Sequence, residues 1–193
     1  MKEIILLTGV SGAGKSTAMS FMEDIGYYCI DNMPAELIPV FIDLTEKSDA
    51  YSKIAIVADV RSSGVFDAFM ESVKDLQKND YLVKIIYLDV KNYTALKRYK
   101  LTRRKHPFAD KFSGSIEEAL QYEKKVLAPV LQNADFVIDT SEHNRADWME
   151  SMSNQTVYSL LFKRSKPSQR FNSAGFCSFK PRLPTCPGKK WIC

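Results

Sequence analysis

Residues 9–16 read GVSGAGKS, a full match to the pattern GxxxxGK[ST]. That residue set in that order is phosphate chemistry. Gly9, Gly12 and Gly14 let a backbone close around an anion at short range, and the amides of Val10, Ser11 and Ala13 belong to the same cradle. Lys15 is expected to reach the β- and γ-phosphate oxygens, the Ser16 hydroxyl to ligate Mg²⁺, and Thr17 to lie beside the α-phosphate. A glycine corner that only tightens a strand-to-helix turn would explain the glycines but not the Lys and Ser that follow them.

A magnesium ion there needs a second carboxylate, and four aspartates fall at the ends of apolar runs: Asp31, Asp59, Asp89 and Asp139. In an open parallel sheet, ligands gather beyond the carboxyl ends of the strands near the point where strand order reverses. With the strand order usual for kinase-like P-loop proteins, the third strand lies beside the first, which makes Asp59 the expected second metal ligand. For Asp89 and Asp139 the expected role is turn chemistry alone. The run Asp31-Asn32-Met33-Pro34 reads equally as an acceptor or base site at the same mouth and as a turn in which Asn32 caps a helix and Pro34 fills its first turn. Arg98, Arg103, Arg104, Lys105 and His106 form a cationic cluster. Such a cluster can stabilise charge during phosphoryl transfer, with Arg103 or Arg104 the expected participant, or can be a solvated basic face or a contact for RNA phosphates. Lys15, Asp59, Arg103 and Arg104 are therefore the candidates for the chemical step. A guanine-specific [NT]-K-x-D motif is absent, since EKSD at 46–49 lacks the leading residue, which argues against a dedicated signalling GTPase.

These residues must be held by a parallel sheet covered with helices. Apolar runs at 3–8, 27–31, 54–59, 82–89 and 135–139 are the expected strands, and helical stripes alternate with them. Ala18, Met22 and Ile25 form one stripe, closed by Gly26; Phe66, Phe69, Val73 and Leu76 form another. A third helix is expected to open at Ser115, with Glu118 completing a capping box and Ile116, Leu120, Leu127 and Leu131 facing inward; Pro129 is expected to kink or break it. The stretch 105–114 (KHPFADKFSG) reads as a surface loop or lid. The fold class is thus α/β, a kinase-like P-loop NTPase sandwich of three layers with a mostly parallel five-stranded sheet.

The whole chain has 193 residues, 45% of them hydrophobic and 26% charged, enough for one full core and ordinary for a globular domain. No run approaches the roughly 18 apolar residues of a membrane span, and no secretory signal is visible, so the expected location is the cytoplasm. The four cysteines make no CxxC pair and there are two histidines, so neither a zinc site nor a redox motif is legible and free thiols are expected. The net charge of +4 hides a split: of 27 Lys and Arg, eight fall in 151–193, where no Asp or Glu occurs, leaving 19 bases against 23 acids in the first 150 residues. The expected organisation is a nucleotide-binding domain at 1–147 and a basic, poorly structured tail at 148–193.

GVSGAGKS (9–16), EDIGYYCIDNMP (23–34), ADVRS (58–62), LTRRKHP (101–107) and ADFVIDTSE (134–142) together resemble the RapZ/YvcJ family of bacterial P-loop nucleotide-binding proteins. The resemblance implies ATP and GTP binding, slow hydrolysis and a regulatory task in RNA metabolism, with RNA or an RNA-processing protein as partner. It also implies ATP at the loop matched by Gly9 to Ser16 and GTP at the segment matched by Asp59, Val60, Arg61 and Ser62. Nothing after about Glu142 matches the family's second domain, and the abrupt change of composition there reads as a truncated chain or one read in a shifted frame. Two other functions remain open on the residues alone: a small-molecule or nucleotide kinase with Asp31 beside the acceptor hydroxyl, and an RNA-binding adaptor modulated by nucleotide.

Overall fold

Four consecutive residues of the first strand, Ile4, Ile5, Leu6 and Leu7, are all fully buried or nearly so. Neighbouring side chains on a strand point to opposite faces, so both faces of this strand are covered. The continuous apolar runs in the sequence have this cause, and helix–sheet–helix layering follows from it. A computed structural model describes residues 2–46, 48, 51–58, 65–79, 81–102, 105–142 and 190–192. Strands β1 (Glu3–Gly9), β2 (Tyr28–Met33), β3 (Lys53–Ala58), β4 (Leu82–Asp89), β5 (Phe136–Asp139) and β6 (Lys190–Ile192) form a sheet of order β2-β3-β1-β4-β5-β6, and every pair in it is parallel. Five of these strands lie where the apolar runs put them. The sixth, a three-residue strand from the stretch read as tail, pairs alongside β5.

β1 lies between β3 and β4, with Leu6 paired to Ile56 on one side and Ile85 on the other. This is the order that places the end of β3 next to the loop after β1. The helices are α1 (Lys15–Asp24), α2 (Ile38–Thr45), α3 (Val65–Lys78), α4 (Asn92–Thr102) and α5 (Ile116–Asn133). The α1 stripe buries Ala18 and Met22, and the chain turns at Gly26 with φ +87°. The α3 stripe buries Phe69, Val73 and Leu76. Two structural expectations are corrected. α5 is not broken at Pro129 but runs on for 18 residues; the carbonyl that Pro129 leaves without its N–H partner belongs to Lys125. Asn32 does not cap a helix: it stands inside β2 at φ +54°, and Pro34 precedes a one-turn 3-10 helix (Ala35–Leu37) that leads into α2.

Candidate functional site

The loop joining β1 to α1 carries the phosphate motif, and its backbone explains the residue types. Gly9 has φ +139°, and a Cβ built on it would lie 2.1 Å from the Leu88 carbonyl oxygen, an overlap between two adjacent strands that only glycine avoids. Gly14 stands at φ +91° immediately before α1, so the left-handed residue that turns the chain adds no side chain of its own at the positive helix end. Lys15 opens the helix and folds back, its Nζ donating to the carbonyls of Gly9 at 2.7 Å and Val10 at 3.0 Å. A phosphate oxygen bound at the helix end would compete for that ammonium. Ser16, exposed in the first turn of α1, completes the motif, and Thr17 follows it in the same turn.

Each residue along the loop is fastened from the β4–β5 side. Val10 N–H donates to Leu88 O at 3.1 Å. Ser11 gives both its amide (2.8 Å) and its hydroxyl (2.6 Å) to the carboxylate of Glu123 on α5. Gly12 O accepts from the Arg98 guanidinium at 2.9 Å, and Ala13 O from the Thr140 hydroxyl at 3.0 Å. Arg98 also donates to the Thr140 carbonyl at 2.7 Å, which locks the end of β5 to the loop. Burial pushes the Arg98 guanidinium below its ordinary pKa, opposed by the charge of Asp139.

Glu123 is completely buried, and its second partner is His106. Nδ1 of His106 accepts from Phe108 N–H at 3.1 Å, which places the ring proton on Nε2, donated to Glu123 Oε2 at 3.2 Å. Burial alone would raise the Glu123 carboxyl. The hydrogen bonds from His106 and Ser11, with the charge of Lys15, outweigh it and hold the group below the usual carboxylate range. His106, read in the sequence as part of a cationic cluster, is thus corrected to a buried hydrogen-bond donor at 2% exposure. Lys105 of that cluster is on the surface, paired with Asp110 at 2.5 Å.

The strand-end aspartates separate. Asp89 accepts from Val90 N–H at 2.8 Å and pairs with Lys124 at 3.2 Å. Asp139 turns the chain by accepting from the amide and hydroxyl of Ser141. Asp31 and Asn32 are exposed at the end of β2, where the register with β3 shifts between Ile30 and Met33. Asp59, Val60, Arg61, Ser62, Arg103 and Arg104 lie outside the described residues, as does the 147/148 domain boundary. Among the described residues no group of three or more His, Cys, Asp or Glu could hold a metal ion. A P-loop magnesium needs no such cage, because water, nucleotide phosphates and one or two side-chain oxygens fill its shell, and the Ser16 hydroxyl suits that role. A groove of about 500 Å³ along α3, lined by Phe66, Met70, Lys74 and Asn133 among others, includes no residue of the loop. No helix among the described residues is long and apolar enough to cross a membrane.

The model of the RapZ-like N-terminal domain matches residues 2–158. The chain belongs to that family. A relative from Caldicellulosiruptor bescii, named nucleotide-binding protein, is 44% identical over 142 residues, covering 73% of this chain and 49% of its own length. One of the same name from Thermotoga neapolitana is 38% identical over 176 residues, covering 91% of this chain and 60% of its own, which takes the similarity past the motifs that end at Glu142. The chain therefore spans about half to three fifths of the length of these relatives. Among solved structures, shikimate kinase from Acinetobacter baumannii superposes with a TM-score of 0.52 at 17% identity, over 83% of this chain and 93% of the kinase. The RapZ-like domain thus has the P-loop kinase-like fold.

Proposed function

We propose that this RapZ-like domain binds Mg·ATP or Mg·GTP at residues 9–17 and hydrolyses it slowly, in a regulatory task in which the bound nucleotide alters contacts with a partner, RNA or an RNA-processing protein. The observation that carries the reading is the glycine loop itself: Gly9 lies against Leu88 O, and Gly14, turned into the left-handed region, adds no side chain at the head of α1 beside Lys15. Amides of the loop and of the first turn of α1 hold the phosphates, apart from those of Val10, Ser11 and Ala13, which the structure gives to Leu88 O, Glu123 and Val10 O in place of the cradle expected of them. Lys15 balances the β and γ oxygens. Ser16 and Asp59 hold the magnesium, whose charge when bound offsets that of the phosphates. Asp59, Val60, Arg61 and Ser62 contact GTP, and Arg103 and Arg104 stabilise charge that develops on the transferring group. The relatives named nucleotide-binding protein support the reading.

One observation favours a second reading, a small-molecule kinase. The register shift in β2 and the left-handed Asn32 turn Asp31 and Asn32 out at the carboxyl end of the sheet, a feature of strands that re-aim side chains at ligand sites. Phosphate release from Mg·ATP and Mg·GTP, measured with and without panels of hydroxylated metabolites, separates the two. Slow release that no metabolite changes is the expected result; turnover dependent on one metabolite would replace the NTPase by the kinase.

A further inference from the structure

We infer that Glu123 is a positioning residue that couples occupancy of the phosphate loop to the 105–114 segment, so that the segment reports whether a nucleoside triphosphate is bound. The inference rests on the nucleotide reading of residues 9–17 and adds to it a route by which that site is regulated. Three observations carry it. Glu123 Oε2 accepts simultaneously from the Ser11 amide at 2.8 Å and from His106 Nε2 at 3.2 Å, so one buried oxygen joins the loop to the segment. Its other oxygen holds the Ser11 hydroxyl at 2.6 Å, so the amide and the hydroxyl of Ser11 end on one carboxylate. On the far side, His106 organises the segment through two more of its polar groups: its Nδ1 accepts from Phe108 N–H at 3.1 Å and its carbonyl from Ala109 N–H at 2.9 Å. Ala109 begins a one-turn helix (Ala109–Phe112) that ends at Ser113, in the left-handed region at φ +49°.

The buried position gives this link its strength. A carboxylate with no access to water cannot replace a lost donor with solvent, so a shift of Ser11 must be followed by His106 or leave a charged oxygen unsatisfied. Phosphate drawn in by the neighbouring amides and by Lys15, whose charge Glu123 also senses, fixes Ser11 in one arrangement, and through Oε2 fixes His106. Linkage is reciprocal: what steadies the 105–114 segment, such as a partner seated on it, tightens nucleotide binding by the same factor.

Amide hydrogen exchange of the full chain, with and without saturating Mg·ATP, tests the coupling. In the unaltered protein, nucleotide is expected to slow exchange both at 10–16 and at the amides of Phe108, Ala109, Gly114 and Ser115, the latter by about fivefold or more. Glu123→Met keeps the length of the side chain and removes both acceptor oxygens, and the expected result is protection at 10–16 with none at 108–115. His106→Phe keeps a ring in place and removes the Nε2–H, so it severs the same link without touching Ser11 and is expected to lose the 108–115 response too. Protection at 10–16 alone in the unaltered protein, or a 108–115 response that survives in either folded variant, overturns the coupling and leaves nucleotide binding standing. Absence of any protection in the unaltered protein overturns the nucleotide reading and the coupling with it.

Discussion

The loop after β1 and the turn after β2 open at the same end of one parallel sheet and are built in opposite ways. Around the first, carbonyls and amides from Gly9 to Ala13 are fastened by Leu88, Arg98, Glu123 and Thr140, and the one carboxylate is sealed from water. At the second, β2 slips register, Asn32 takes a left-handed conformation, and the 3-10 turn and α2 that follow expose Leu37, Val40 and Leu44 at 52%, 54% and 79%. A corner that must present dipoles to an anion gains from donors already held near their binding positions, because less rearrangement is left for the ligand to impose. An edge strand with a bulge and an exposed helix face tolerates change. The difference assigns sensitivity to mutation as well as function.

Gly9→Ala should break the rigid corner outright. The new Cβ would fall 2.1 Å from Leu88 O at φ +139°, so β1 and β4 must part; the expected loss is about 3 kcal/mol or more, read from chemical denaturation. On the tolerant side, α2 still has one face in the core: Ile42→Ala is expected to cost about 2–4 kcal/mol by the same measurement, since Ile42 has no exposed surface. A smaller effect should follow from pH. Glu123 ionises more readily in the folded protein than in the unfolded chain, so its contribution is present above the ordinary carboxylate pKa and is lost as pH falls through the lower folded value. Thermal melts should show the protein losing stability on acidification below about pH 4, with part of that loss missing in Glu123→Gln. The smallest effect belongs to Leu44→Ala, expected to shift stability by no more than about 0.5 kcal/mol; a larger loss would show that the exposed face of α2 is packed, and would end the contrast between the two regions.

Much of this was legible from residue order alone. Strands such as Leu82–Asp89 declare themselves as unbroken apolar runs because both faces are covered, and GVSGAGKS identifies its own backbone geometry through glycines that nothing else can replace. Ser115 was readable as a cap because its partner, Glu118 N–H, is three residues away. Glu123 was not readable: it is 112 positions from Ser11, and on a helix bearing several charged residues nothing marks it as the one that points inward. His106 was misread for a related reason, since a basic neighbourhood in sequence says nothing about which side chain turns into the core. Pro129 does not end the helix because one lost bond at Lys125 is set against a face buried on both sides of it, by Leu120, Leu127 and Val130. The left-handed Asn32 carried only the weak signal of its residue type.

The claim on which the account turns is that residues 9–16 hold a triphosphate. Calorimetric titration of the chain with Mg·ATP and Mg·GTP, beside Lys15→Ala, tests it most directly. Removing the ammonium takes away charge-assisted bonds of about 1.5–3 kcal/mol each, so saturable binding that weakens at least about tenfold in the variant is the expected result. Binding of equal strength in the two proteins, or none in either, would contradict it.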